Sequence, residues 1–328
     1  MKLALLVLVA CGHQDSPPVI GQSGKPIDKI QGEDDSCDPK TPRVCMGNDV
    51  VECAADGHLG RRVRACHHGC VDGACDEACA DDNTKLIYIV STSNDFLGFD
   101  PRKLATGDPI KRIGKLTCEP YGSPFSMTID RSGVAWVEYD DGQVFNVNLT
   151  TAECKKPARM YGPNGVFTMA FVADGDKEQL YTVDTRTAEM FTVDPKSTVR
   201  TPVETVEPRT DESVDLTGTG DGKLYGFFTS TWEVPYVQEL DRKTAHGVGK
   251  RMPLGTDAPG QYSAWAFAQW GGSLYLFTSG YDFSQVHTID RQTGAHRTVI
   301  SDLGYRISGA GVSTCAPERD VGRGQQTP

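Results

Sequence analysis

One phrase recurs five times after residue 85, and a chain built from a repeated unit must bury each copy against its neighbours. The phrase opens on an apolar-aromatic pair: Ile87-Tyr88, Ala135-Trp136, Leu180-Tyr181, Leu224-Tyr225 and Leu274-Tyr275. A dozen or so residues later an apolar residue precedes an acid or amide that opens a turn, at Asp100, Asn148, Asp194, Asp241 and Asp290. These are separated by 48, 46, 47 and 49 residues. Within a unit, period-two segments such as Val134-Ala-Trp-Val-Glu-Tyr and Gln143-Val-Phe-Asn-Val-Asn flank a tight Asp140-Asp-Gly turn, which predicts strands joined by hairpins. The class is all-β.

A four-stranded antiparallel unit of this length, repeated five times, resembles a β-propeller of the short-repeat, NHL-like group. The resemblance implies a five-bladed β-propeller over residues 80–316. Innermost strands are expected at Ser126-Met-Thr-Ile, Thr168-Met-Ala-Phe, Asp215-Leu-Thr-Gly and Ala264-Trp-Ala-Phe, whereas the first unit begins at its second strand. Ile307-Ser-Gly-Ala-Gly-Val at the far end is the candidate for the missing strand, so that each end of the chain completes a sheet begun by the other. Cys79 and Cys315 flank that junction and are expected to form a disulfide. Cys118 and Cys154 then pair by elimination.

Eleven cysteines in an otherwise ordinary composition point to an oxidising compartment. Residues 37–79 hold Cys37, Cys45, Cys53, Cys66, Cys70, Cys75 and Cys79, and a segment that short needs bridges in place of a core. It resembles the small cysteine-rich modules that follow the anchor of some secreted bacterial lipoproteins. Cys37 to Cys75 are expected to pair among themselves. His58 and the run Cys66-His67-His68-Gly69-Cys70 also suggest a metal, but paired zinc knuckles are absent and oxidised sulfur does not ligate zinc, so no metal or cofactor is assigned.

At the amino terminus Met1-Lys2 precedes an apolar stretch, Leu3 to Val9, and then Ala10-Cys11. Leu8-Val9-Ala10-Cys11 resembles the lipobox of bacterial lipoprotein signal peptides. That resemblance implies cleavage after residue 10, acylation of Cys11, attachment to a lipid bilayer and, with Gly12 following, the outer membrane. Residues 11–36 have no apolar period and read as a tether with a reach of about 25–30 Å. Residues 317–328 read as a disordered tail.

A net charge of −11 argues against a nucleic-acid partner. No His-Glu-x-x-His, Gly-x-Ser-x-Gly, P-loop or Gly-x-Gly-x-x-Gly motif occurs. Glycosidases and lactonases of this architecture need several acids around the axis, and only Asp211, Glu212 and Asp215 stand near an innermost strand. The reading is therefore a non-catalytic platform for a protein or glycan of the cell envelope, with a hydrolase or lyase acting on envelope carbohydrate or lactone as the alternative. Candidate ligand-binding residues are aromatics and an acid of the middle hairpins and inter-unit loops: Trp232, Tyr236, Tyr281, Asp95, Tyr121, Tyr161 and Tyr262. The run Asp174-Gly-Asp176-Lys-Glu178 lacks the full spacing of a calcium loop.

Overall fold

The computed structural model describes residues 36–46, 49–65, 70–71, 73–75, 79, 82–119, 122–155, 165–175, 177–209, 214–230, 233–255 and 262–319. The acylation candidate Cys11, the tether to residue 35, and Cys66 lie outside them. Among the described residues there is no helix long and apolar enough to cross a membrane.

The module forms β1 (Arg43–Met46), β2 (Asp49–Cys53) and β3 (Leu59–Ala65) in one antiparallel sheet, and β4 (Cys70–Val71) with β5 (Ala74–Cys75) in a hairpin. Cys37–Cys53 and Cys45–Cys70 staple it, and Cys75 is also disulfide-bonded.

Five antiparallel sheets follow. Sheet I holds β9 (Pro124–Ile129), β10 (Val134–Tyr139) and β11 (Val144–Asn148). Sheet II holds β12 (Phe167–Asp174), β13 (Lys177–Asp184), β14 (Glu189–Val193) and β15 (Arg200–Thr205). Sheet III holds β16 (Val214–Gly218), β17 (Leu224–Phe228), β18 (Tyr236–Leu240) and β19 (Gly247–Pro253). Sheet IV holds β20 (Ala264–Trp270), β21 (Ser273–Ser279), β22 (Ser284–Asp290) and β23 (His296–Ile300). Sheet V joins the two ends of the chain: β24 (Ile307–Gly311) pairs with β6 (Ile87–Ser91), followed by β7 (Asp95–Phe99) and β8 (Ile110–Lys115). The expected sharing of one sheet between the termini is present.

Alternation along each strand feeds two cores rather than one core and one wet face. In β10, Ala135, Val137 and Tyr139 pack with Tyr88, Val90 and Phe96 of sheet V, while Trp136 packs with Phe167, Met169 and Phe171 of sheet II. Separate apolar clusters fill the II–III, III–IV and IV–V gaps, so the sheets close into a ring. Among the described residues sheet I has three strands; beyond β11 an isolated bridge joins Val147 with Cys154, the Cys118–Cys154 disulfide ties that segment to the chain leaving β8, and residues 156–164 lie outside the described residues.

The recurring acids of the sequence are turn formers. Asp194, Asp241 and Asp290 each accept at Oδ1 from the amides two and three residues on, as does Asn148. The amide four residues after each donates back to its carbonyl, and that fourth residue is left-handed: Ala152, Thr198, Ala245 and Gly294. Thr198, at φ 59°, is β-branched and the most strained of the four. Thr198→Gly is expected to stabilise the chain by about 1 kcal/mol, as glycine adopts this conformation without steric cost. Urea unfolding of the two proteins measures it.

Candidate functional site

The two ends of the ring differ in chemistry. At one end the turns between the first two strands of sheets I to IV converge on the C-terminal segment. Cys315 Sγ lies 3.9 Å from the Arg131 carbonyl oxygen, Thr314 donates its hydroxyl to Glu178 Oε2 at 3.0 Å, and Gly271 N–H donates to the Pro317 carbonyl at 2.7 Å. Glu318 accepts from Gly220 N–H and Gln269 Nε2 and pairs with Arg291 Nη1, while Arg291 Nη2 donates to both Asp221 oxygens at 2.9 Å. A Cβ on Gly220 would stand 2.4 Å from the Thr314 carbonyl oxygen, so only glycine lets the turn approach the segment so closely. The Cys79–Cys315 disulfide fixes the segment to the chain entering the ring. Residues 314–318 therefore lie across this mouth, and the expected disorder from residue 317 is corrected: Pro317 and Glu318 are packed because their carbonyl and carboxylate meet otherwise unpaired turn amides.

The opposite end carries the middle hairpins and the inter-sheet connections. Here Tyr281, at the tip of the β21–β22 hairpin, is 97% exposed. It borders a groove of about 360 Å³ between that hairpin and the connection into β24, lined also by Asp282, Phe283, Asp302, Tyr305 and Arg306. Tyr262 presents its ring edge-on to Phe283, with centroids 6.2 Å apart. Arg306 donates to the Ser263 hydroxyl from Nε at 3.1 Å and also from Nη2.

Of the residues singled out in the sequence, Tyr281 borders this groove, and Tyr262 packs behind its wall against Phe283 and the III–IV apolar cluster. Trp232, Tyr121 and Tyr161 lie outside the described residues. Tyr236 is buried in β18 rather than on a hairpin tip, stacked on Phe228 with centroids 4.8 Å apart and covered by the Arg251 guanidinium. Asp95 opens β7 and is engaged by Arg112 at 2.9 Å and by the Ser91 hydroxyl. Arg306 and Asp302 were not found in the sequence; the signal was their place in the same inter-unit connection as Tyr305, just before an innermost strand.

Acids in the ring hold neighbouring sheets together. Asp215 in β16 accepts from Phe267 N–H of β20 at 3.1 Å, and from Leu216 N–H. Glu138 in β10 accepts from Phe167 N–H of β12 at 3.1 Å. Glu178 in β13 accepts from Arg131 N–H of sheet I. Burial is the main cause that raises Asp215 and Glu178 each to about 7 and Glu138 well above the carboxylate range. Hydroxyls do the same elsewhere: Ser126 and Thr128 accept from Met169 and Phe171, and Thr217 from Gln269.

No protein-family model matches the chain, and no curated protein matches it. Among solved structures it is similar to Kuenenia stuttgartiensis hydrazine synthase, at 9% identity and TM-score 0.38 over 64% of each chain. A chain of the nidogen/laminin complex is 11% identical with TM-score 0.43, covering 69% of this chain and 97% of that one. A chain of the mitotic checkpoint complex is 14% identical with TM-score 0.36, covering 66% and 63%. The chain thus spans slightly under two thirds of the hydrazine synthase and checkpoint chains.

The raised Asp215 sets a pH response. An unfolded Asp titrates near 4, so folding takes up a proton at Asp215 between about 4 and about 7. That contribution favours the fold on the acid side and is lost as pH rises through the window. Melting temperatures at pH 5 and pH 8 are expected to differ less in Asp215→Asn than in the parent, since the amide oxygen still accepts from Phe267 and no longer titrates.

Proposed function

We propose that the chain is a lipid-anchored extracytoplasmic protein: an acylated Cys11, a tether, a disulfide-stapled module, and a five-bladed β-propeller whose open end is a non-catalytic binding platform. Its partner is a protein or glycan of the cell envelope, at the outer membrane. The disulfides support an oxidising location, and the five inter-sheet clusters support the blade count. The chain enters the ring at the end crossed by residues 314–318, opposite the groove.

The observation that carries the binding reading is Tyr281. A tyrosine ring with nearly all of its surface in water gains nothing from folding, and it stands beside a groove that offers a guanidinium, two carboxylates and further rings. Such a rim recognises a ligand with a flat apolar face and polar edges, as a sugar ring or a peptide aromatic has. Of the acids weighed for a hydrolase, Asp215 is engaged by a backbone amide of a neighbouring sheet, as are Glu138 and Glu178, while Asp211 and Glu212 lie outside the described residues.

Immobilised parent and Tyr281→Ala proteins, presented with an envelope glycan panel and envelope proteins, test the platform. The parent is expected to retain a ligand that the folded variant binds about 30-fold more weakly, the effect of losing a hot-spot aromatic worth about 2 kcal/mol. Equal retention by both would remove the groove from the account.

A further inference from the structure

Between sheets I and II, near the open end, charge is buried with its hydrogen bonds incomplete. Glu138 is fully buried, and while Oε1 takes the Phe167 amide, Oε2 has no partner. Asp184 is fully buried too, unlike Asp194, Asp241 and Asp290, which close equivalent turns nearer solvent. Its Oδ1 accepts from Arg186 and Thr187 amides, and its Oδ2 has no partner.

The strand registers put both carboxylates in one layer. Asp184 is the cross-strand partner of Phe167, whose amide Glu138 holds, and Glu138 is the partner of Val144. Antiparallel partners share a face, and Val144 and Phe167 belong to the single apolar cluster between these sheets. Asn146, partner of Trp136 on that same face, brings a buried amide Nδ2 that also has no partner. Arg200 reaches in from β15, its guanidinium 4.1 Å from the centroid of Phe191 and donating to the Thr182 hydroxyl at 3.0 Å. No hydrogen bond from it reaches either orphan oxygen. Among the described residues, Glu189 also acts on Arg200, and Asp140 and Asp141 on Glu138.

Glu138 Oε2 and Asp184 Oδ2 are thus two buried oxygens of one layer with unused lone pairs. Buried oxygens of this kind are normally hydrogen-bonded or coordinated to a metal. We propose that this layer binds one hard divalent cation of the calcium class, through Glu138 Oε2 and Asp184 Oδ2, with the Asn146 amide and water completing an all-oxygen shell. Amide oxygen and nitrogen are assigned by their partners, so Asn146 turned over presents its oxygen. A site with only two carboxylates belongs with extracellular modules that bind at about 10⁻⁴–10⁻³ M.

Trp136 supplies a reporter, because its indole lies on the same face as Asn146 and Glu138. Terbium is titrated into the full chain with excitation of tryptophan, and calcium is then added as competitor. The expected result is saturable sensitised emission that calcium reverses, and a melting temperature raised by millimolar calcium. Both are lost in Glu138→Gln and in Asp184→Asn and kept in Asp174→Asn. Trp136→Phe loses the emission but keeps the calcium-dependent rise, a readout that survives if an acid-site variant fails to fold. Absence of any calcium effect on the parent would overturn the proposal. So would loss of the effect in Asp174→Asn alone, which would place the ion in the turn before β13.

Discussion

The pairing of β24 with β6 is the contact on which the rest of the ring depends. Every other sheet is made from one continuous stretch of chain, but sheet V takes its innermost strand from residues 307–311 and its other three from residues 87–115. Without that ladder the IV–V and V–I apolar clusters lose a wall, and an edge of sheet V is open to water. The Cys79–Cys315 link spans 236 residues, a loop closure worth about 5 kcal/mol in the chain-entropy model. It holds the two ends where the ladder needs them.

Closure also dictates what lines the ring. Innermost strands converge, so their backbones come too near for large side chains; a Cβ on Gly218 would stand 1.9 Å from the Phe171 carbonyl oxygen. Short hydroxyls and an occasional carboxylate, from Ser126, Thr128, Asp215 and Thr217, fill the gap by accepting amides of the next sheet. Polar groups thus do inside the ring what a hydrogen-bond ladder does within a sheet. Burial explains why Asp215 among them holds its proton up to about 7. With residues 314–318 lying across one mouth, the chemistry available to a partner is concentrated at the other.

Much of this was legible in the residues, for a physical reason: strands that alternate between two cores, and turns that need an acid followed by a left-handed residue, leave periodic marks. The closing strand and the Cys79–Cys315 pair followed from asking which unit lacked a strand, and Cys118–Cys154 from the cysteines then left over. Other features left no such mark. Nothing in the alternating segment Val134-Ala-Trp-Val-Glu-Tyr marks Glu138 as buried, but in a ring both faces of a sheet are covered, and it is. Tyr236 reads as a loop aromatic, and its stacking on Phe228 draws it into β18. Pro317 and Glu318 read as a polar tail because the turn amides they satisfy come from residues far away in sequence. At the groove, the aromatic hairpin tip pointed to Tyr281, whereas the part of Arg306 emerges once the inter-sheet connection is folded beside the hairpin.

The central claim is that one shared sheet and its staple make the ring a single cooperative unit. Native-state hydrogen exchange of the full chain, comparing the parent with a Cys79→Ser, Cys315→Ser variant, addresses it directly. The account predicts that protection falls together in β6, β24 and the strands facing them, β9 and β20, with a global stability loss approaching the 5 kcal/mol of loop closure. If only residues 312–319 exchange faster while β6 and β24 keep the parent's protection, the disulfide secures the tail alone and the ring closes without it.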